Sequence, residues 1–449
     1  MRCAWSACLE AWCAVRDALI FLVVFGSLPL VFKRPAVGAM IYAWLSLMNP
    51  HRLTYGAAYD FPFAALMAAA TLGSLLVSRQ RKNIPVNSFT VMLLIFCAWT
   101  TLTSFFALEP VFVWREWDRV MKTFGMLLLT LMAVRTEKDI KQLVWVIALS
   151  LGFYGFKGGL HTILTGGGSH VFGPEDSYIT DNNALALALI TALPIIWYLQ
   201  QQATTRYMRL GLLVLAVTTL VAAAGSYSRG ALLAGGAMLT FLWLKSRTKV
   251  RTGLVLLMIA PLVYLIMPPE WFGRMQTIDN YQADTSALGR INAWGFAINV
   301  AQHHILGGGF HAFSPRMFFI YAPEPTNHHA AHSIYFQVLG EHGFIGLAIF
   351  LIMMVCAWRS GSRIIKMCKK RLEWRWASDL AAMGQVSMIG FAVGGAFLTL
   401  AYYDLIYYIV GALALTERLL KERMAEEGKK ALADGRRLTV PSLIPKETA

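Results

Sequence analysis

Three side chains in this sequence combine charge or titration with a place at the edge of a long apolar run: Arg229, Arg290 and His332. A guanidinium is planar, permanently charged and offers paired donors, so two of them make a clamp suited to a diphosphate. A histidine has an ordinary pKa near 6.5 and can accept a proton at neutral pH. Ionisable groups at a membrane edge are costly to desolvate and mark functional sites. The chemistry these residue types suggest is the handling of a lipid-linked anion with a base close by.

Each residue also has a plainer explanation. Arg229 sits in the turn Ser228-Arg229-Gly230 and could merely snorkel to the interface. Its flanks favour an anion, because Gly230 lets a phosphate approach the backbone and the N–H groups of the following helix add a positive dipole. Arg290 opens an amphipathic segment at 292–302, and could instead pair with Asp279 or Asp284. Arg274 and Arg316 are weaker candidates for the same role, and Lys157 is weaker still. His332 closes the run Asn327-His328-His329-Ala330-Ala331-His332-Ser333, where it could simply bond backbone at a helix start. His328 and His332 have the i, i+4 spacing of zinc ligands on one helix face, but His329 stands where a metalloprotease helix carries its general-base Glu. We therefore expect no metal and no cofactor. His303, His304 and His311 read as surface or packing residues. Glu341 follows His332 by nine positions, about 180° around a helix, and should pair elsewhere. Asp404, among tyrosines in a broken apolar run, is a partner for one of the arginines.

The elements that must position these groups are apolar. Of 449 residues 57% are hydrophobic and only 14% charged, well below the roughly 25% of soluble proteins. Apolar runs recur at 17–32, 36–48, 61–77, 88–106, 120–134, 143–160, 184–199, 210–224, 231–244, 254–267, 333–358 and 379–400, with a further run to about residue 415. Backbone in lipid must satisfy itself, so such runs read as helices. The expectation is an all-α polytopic membrane protein of about 12 transmembrane helices, the first two runs forming a re-entrant pair. One large polar loop, 268–331, lies between the tenth and eleventh spans. Residues 1–16 form an N-terminal extension, 17–415 a single membrane domain, and 416–449 a basic tail that starts helical and then lacks order.

The net charge of +15 sits mainly in short connections and the tail, which points to topology rather than to nucleic acid. The basic connections follow the third, fifth, seventh, ninth and eleventh runs and are assigned to the cytoplasm. The large loop, the Ser-Arg-Gly turn and Asp404 then share the outer face. The segment 109–122 alternates aromatic and charged residues and reads as interfacial. Six cysteines show no metal-site spacing, and no disulfide is expected.

With these residues in place, the sequence resembles the O-antigen ligase and polysaccharide polymerase superfamily of bacterial membrane glycosyltransferases. The matching features are Ser228-Arg229-Gly230, then Gly289-Arg290 with Trp294, then His332-Ser333 followed by Leu339, Glu341, Gly343 and Gly346. The stretch Ser46-Leu47-Met48-Asn49-Pro50-His51-Arg52 looks like the exosortase-associated O-glycosylation ligase branch. Chains of that branch begin near the equivalent of Arg16-Asp17, so translation from Val15 is an expectation.

The resemblance implies a type C glycosyltransferase fold and a metal-independent, inverting reaction in the bacterial inner membrane, with the site facing the periplasm. A glycan carried on undecaprenyl diphosphate would pass en bloc to a hydroxyl of lipid A–core. His332, Arg290 and Arg229 would be catalytic. Gly230, Ser228, Arg274, Arg316 and Asp404 would be weaker contacts to diphosphate or acceptor. The protein is expected to act as a monomer. Polymerisation of the same donor, transfer to a protein Ser or Thr, and transport of a lipid-linked oligosaccharide are the competing functions.

Overall fold

The computed structural model describes residues 2–78, 84–246, 249–258, 261, 264–265, 267–276 and 285–433. Side chains are described from residue 15 onward, outside 251–252, 255–256, 274–276 and 285–286. The described residues build seventeen α-helices. These are α1 (Arg2–Lys33), α2 (Pro35–Met48), α3 (Ala57–Asp60), α4 (Phe63–Val77), α5 (Ser88–Phe105), α6 (Pro110–Ala133), α7 (Glu137–Leu164), α8 (Asn182–Gln202) and α9 (Arg206–Gly225). They continue with α10 (Arg229–Lys245), α11 (Lys249–Leu257), α12 (Pro269–Gln276), α13 (Thr285–His303), α14 (Pro315–Tyr321), α15 (Ile334–Cys368), α16 (Arg375–Gly395) and α17 (Asp404–Ala433).

This architecture corrects the expected fold in two respects. Among the described residues only six helices are long and apolar enough to cross a membrane, not about twelve: Val15–Lys33 within α1, and α5, α7, α8, α9 and α15. Counting apolar runs overlooked length and charge. The 14 residues of α2 and 15 of α4 reach only about 21–23 Å at 1.5 Å per residue, against a hydrocarbon core of about 30 Å. The helix α6 runs unbroken through Arg115, Glu116, Asp118, Arg119 and Lys122, so the interfacial segment and the fifth apolar run are one charged helix. The second correction concerns 268–331, which is not a loop: it holds α12, α13 and α14. At the other end of the chain, α17 carries the start of the tail as helix to Ala433, and 434–449 lie outside the described residues.

The core is built around α8, which is apolar on every face and buried along almost its whole length. It packs against α7, α9 and α16. Small residues set the closest approach, as expected where lipid gives helices no hydrophobic reason to associate. A side chain at Gly155 or Gly159 of α7 would collide with Thr219 or with the Thr218 carbonyl of α9. One end of the helical body is tied by ion pairs, Arg34 to Asp139 at 2.7 Å, Arg363 to Glu417 at 2.7 Å and Arg371 to Glu427 at 2.6 Å. The opposite end gathers the starts of α8, α10, α15 and α17, and the candidate site lies there.

A glycine device anchors α13–α15 to this end. Gly343 interrupts α15 with φ of +67°, a left-handed conformation that costs a non-glycine residue strain. Gly307, at φ +72°, passes so close that a Cβ on it would stand 2.5 Å from the Gly343 nitrogen. The N–H groups of Gly308 and Gly309 donate to the carbonyls of Gly340 and Glu341 at 2.8 and 2.7 Å. Gly343→Ala adds strain and a clash with the Ile305 carbonyl together. We expect it to cost about 2 kcal/mol or more of stability. A thermal midpoint in detergent equal to that of wild type would refute this.

Candidate functional site

The turn before α10 is held from three sides. Asn182, at the start of α8, donates its side-chain amide to the Ser226 carbonyl at 2.6 Å. The Tyr227 hydroxyl donates to the Gly167 carbonyl at 2.6 Å, and the Trp271 indole N–H of α12 donates to the Ala224 carbonyl at 2.9 Å. Tyr227 itself takes φ of +59°. The Ser228 hydroxyl oxygen accepts from the Ala231 N–H and caps α10. Ser228 thus caps α10, and Arg229 follows as the first helical residue, half-buried. Gly230 lets α10 approach the connection after α16, where a Cβ would meet Phe397 at 3.3 Å.

From the other side, α13 braces the segment that leads to His332. Asn292 donates to the carbonyls of Glu324 and Asn327 at 3.0 and 2.8 Å and accepts from the Glu324 N–H at 2.8 Å. The Trp294 indole N–H donates to the Ala331 carbonyl at 3.0 Å, and its ring stacks on Phe336. Gly289 leaves room for the His329 ring, which a Cβ would approach to 2.5 Å. Held in this way, His332 adopts φ of +43°, an outlier for a residue with a side chain. Such strain persists only where the surroundings over-determine it, and it concentrates at functional sites. The His332 N–H donates to the Thr399 hydroxyl at 2.8 Å. The ring is half-buried, and the charges of Arg290 and Asp181 reach it.

The connection 396–403 therefore touches both parts of the site, Phe397 beside Gly230 and Thr399 on His332. His332 and Arg290 come together electrostatically, and the start of α10 with Arg229 lies on the same connection. Asp404 does not join them. It is buried, bonds Ser46 of α2, and the arginine whose charge reaches it is Arg119 of α6. Arg316 is exposed on α14, and Arg274 lies on α12 with its side chain outside the described residues, as are Asp279 and Asp284. Residues 327–332 are not helical, so His328 and His332 share no helix face; the His328 ring instead donates to the Phe313 carbonyl at 2.9 Å. Glu341 accepts a hydrogen bond from Tyr402. Sequence reasoning missed Asp181, Thr399 and Arg119. Only Arg119 carried a signal, since it lies in the segment read as interfacial.

Burial first, then the positive charge of Arg290, holds the His332 imidazole below its ordinary 6.5, while Asp181 opposes them. The proton leaves a depressed site more readily, so the neutral, proton-accepting form persists to more acid pH. An activity that needs neutral His332 should keep its acid-limb midpoint below pH 6.5. Asp181→Asn keeps a capping side chain on α8 but removes the carboxylate, and should move that midpoint further down. A midpoint that rises in the variant contradicts this assignment.

Two family models match the chain. Residues 15–204 match one described as a family of unknown function (DUF5935), and residues 214–351 match one described as O-Antigen ligase. No curated protein matches the chain. The second match covers Arg229, Arg290 and His332, and it supports the general ligase superfamily and a ligase- or polymerase-type role in glycan transfer. With the six membrane-length helices it supports a multi-pass inner-membrane protein and is consistent with lipid-linked substrates.

Proposed function

We propose that the chain is an O-antigen ligase-type glycosyltransferase, nearest the exosortase-associated branch, acting at the periplasmic face of the inner membrane. The observation that carries this reading is the gathering of His332, Arg290 and the start of α10 around the connection 396–403, within a region that matches the O-antigen ligase model. The donor is a glycan on undecaprenyl diphosphate and the acceptor a sugar hydroxyl of lipid A–core. The acceptor oxygen attacks the anomeric carbon as the bond to the diphosphate breaks, which inverts that centre. The hydroxyl proton passes to the His332 imidazole. Negative charge grows on the diphosphate, where Arg290 and Arg229 stabilise it. The N–H groups at the start of α10 add to that field. No further energy source is required, since the diphosphate is the leaving group.

The test is transfer by purified protein in detergent, given the lipid-linked donor and lipid A–core, with and without EDTA. Transfer that survives EDTA supports the reading. Loss of transfer in EDTA would put a metal in the mechanism. A donor that lengthens on itself while lipid A–core stays unmodified would make the protein a polymerase, and transfer only to a Ser or Thr peptide would make it a protein glycosylation enzyme.

A further inference from the structure

A groove of about 620 Å³ opens where α5 and α17 flank α15. Asn87 and Ser88 at the start of α5, Arg363 of α15 and Lys421 of α17 line its polar end, and Val91 and Cys356 line its apolar wall. The 20 residues from Gly343 to Arg363 cover about 30 Å of α15, close to the thickness of a hydrocarbon core. The polar end therefore lies at headgroup depth on the membrane face opposite the candidate site. Toward the membrane centre the apolar wall continues into helix faces suited to lipid. Leu94 and Ile95 of α5, one turn from Val91, and Ile352 of α15, one turn from Cys356, are all exposed.

The charges at the polar end are unequal. Glu417 of α17 is only 1% exposed. It accepts from Nε–H and Nη2–H of Arg363 at 2.7 and 3.0 Å, from the Lys421 ammonium at 2.7 Å and from the Ser360 hydroxyl at 2.6 Å. Four bonds fill the acceptor capacity of a carboxylate. The Asn87 side-chain oxygen is taken as well, by the N–H and hydroxyl of Thr90. What these bonds leave over is donors: Arg363 Nη1, two ammonium hydrogens of Lys421 and the Asn87 amide group. Basic side chains at this depth commonly snorkel to water and hold nothing. Here two cations face one carboxylate, which leaves a single net positive charge, and the donors belong to residues that line one groove with an apolar wall. A phosphodiester brings one negative charge and only acceptor oxygens, and acyl chains match the wall. A zwitterionic headgroup fits less well, because its ammonium finds the carboxylate already full.

We propose that this groove binds an anionic glycerophospholipid, its phosphodiester held by Arg363, Lys421 and the Asn87 amide and an acyl chain lying along Val91 and Cys356. The lipid sits in the leaflet opposite the candidate site and is separate from the lipid-linked donor.

The test is native mass spectrometry of the full chain in detergent, titrated with phosphatidylglycerol or with phosphatidylcholine of the same acyl chains. Wild type should take up its first phosphatidylglycerol about fivefold tighter than phosphatidylcholine, and the preference should shrink as salt rises. Lys421→Gln should weaken that first step by about fivefold, and Lys421→Arg, which keeps the charge, should preserve it. Cys356→Trp fills the apolar wall without altering a charge and should weaken the same step. Lys421 is exposed and Cys356 half-buried, so both variants should keep the wild-type thermal midpoint without added lipid. If Cys356→Trp lowers it, the contrast between Lys421→Gln and Lys421→Arg decides. Equal affinity of wild type for the two lipids overturns the proposal. So does wild-type uptake of phosphatidylglycerol by a folded Lys421→Gln or Cys356→Trp. Glycerol 3-phosphate that displaces the lipid at equal concentration would reveal an anion site with no use for acyl chains, and that result overturns the proposal too.

Discussion

We expect His332→Ala to lower glycan transfer by about 10²–10⁴-fold and to leave the lipid-linked donor bound, the range expected for loss of a positioned base. The backbone supports a specific role for this ring. A positive φ of +43° is costly for a residue with a side chain, and neighbouring residues hold His332 there. Thr399 accepts from its N–H, Trp294 donates to the preceding carbonyl, and Ser333, the N-cap residue of α15, follows it directly. Alanine at this position removes the imidazole and keeps the strain, so the variant should remain folded with nearly the wild-type thermal midpoint. The informative comparison is Thr399→Val, which removes the hydroxyl that fixes the backbone but leaves the imidazole. It should cost transfer less than His332→Ala does, and its acid limb should still lie below pH 6.5. Full transfer by His332→Ala would remove the base from the mechanism and leave electrostatic stabilisation of the diphosphate as the main effect.

What could be read from the chain alone depended on how local each feature is. The Ser-Arg-Gly turn is a local signal, a capping serine, a first-turn arginine and a glycine at a close approach, and its placement at a helix start is visible in three residues. The amphipathic segment near Arg290 is local too, although α13 starts earlier than the segment did, at Thr285. The conformation of His332 is not local, because its bond partner Thr399 is 67 positions away. Asp404 shows the same limit more sharply. Its placement among tyrosines is plain, but the arginine near it belongs to α6, and nothing in the chain ranks Arg119 above Arg229 or Arg290 for that place. The number of membrane-length helices was misjudged for a different reason. Hydropathy marks apolar residues, but α2 and α4 end too soon, and α6 continues through five charged side chains. In the stretch 268–331, abundant polar residues suggested a loop. Its helices are held by side-chain bonds to backbone, such as those of Asn292 and Trp294, which no run of hydrophobicity reports.

Arg290→Ala and Arg229→Ala should each lower kcat by about 10²–10³-fold, the scale seen when one donor to a developing anion is removed. The two should not multiply. In the proposed mechanism both act on one leaving group, so the double variant should be only slightly worse than the poorer single one. Arg290→Lys should recover little of the loss, because an ammonium offers a point charge where a fork of donors is needed. A further consequence ties Arg290 to the base. Its charge helps to hold His332 below 6.5, so any residual transfer by Arg290→Gln should show an acid limb moved up toward 6.5. In the proposed reaction the two roles would pull in opposite directions: the guanidinium that would stabilise the diphosphate also makes the neighbouring imidazole a weaker base. The arrangement is workable because a base that is neutral at the working pH needs only enough affinity for a proton that the bonding change is already releasing. If Arg290→Gln loses transfer without moving the acid limb, the guanidinium acts on the diphosphate alone and the coupling to His332 is absent.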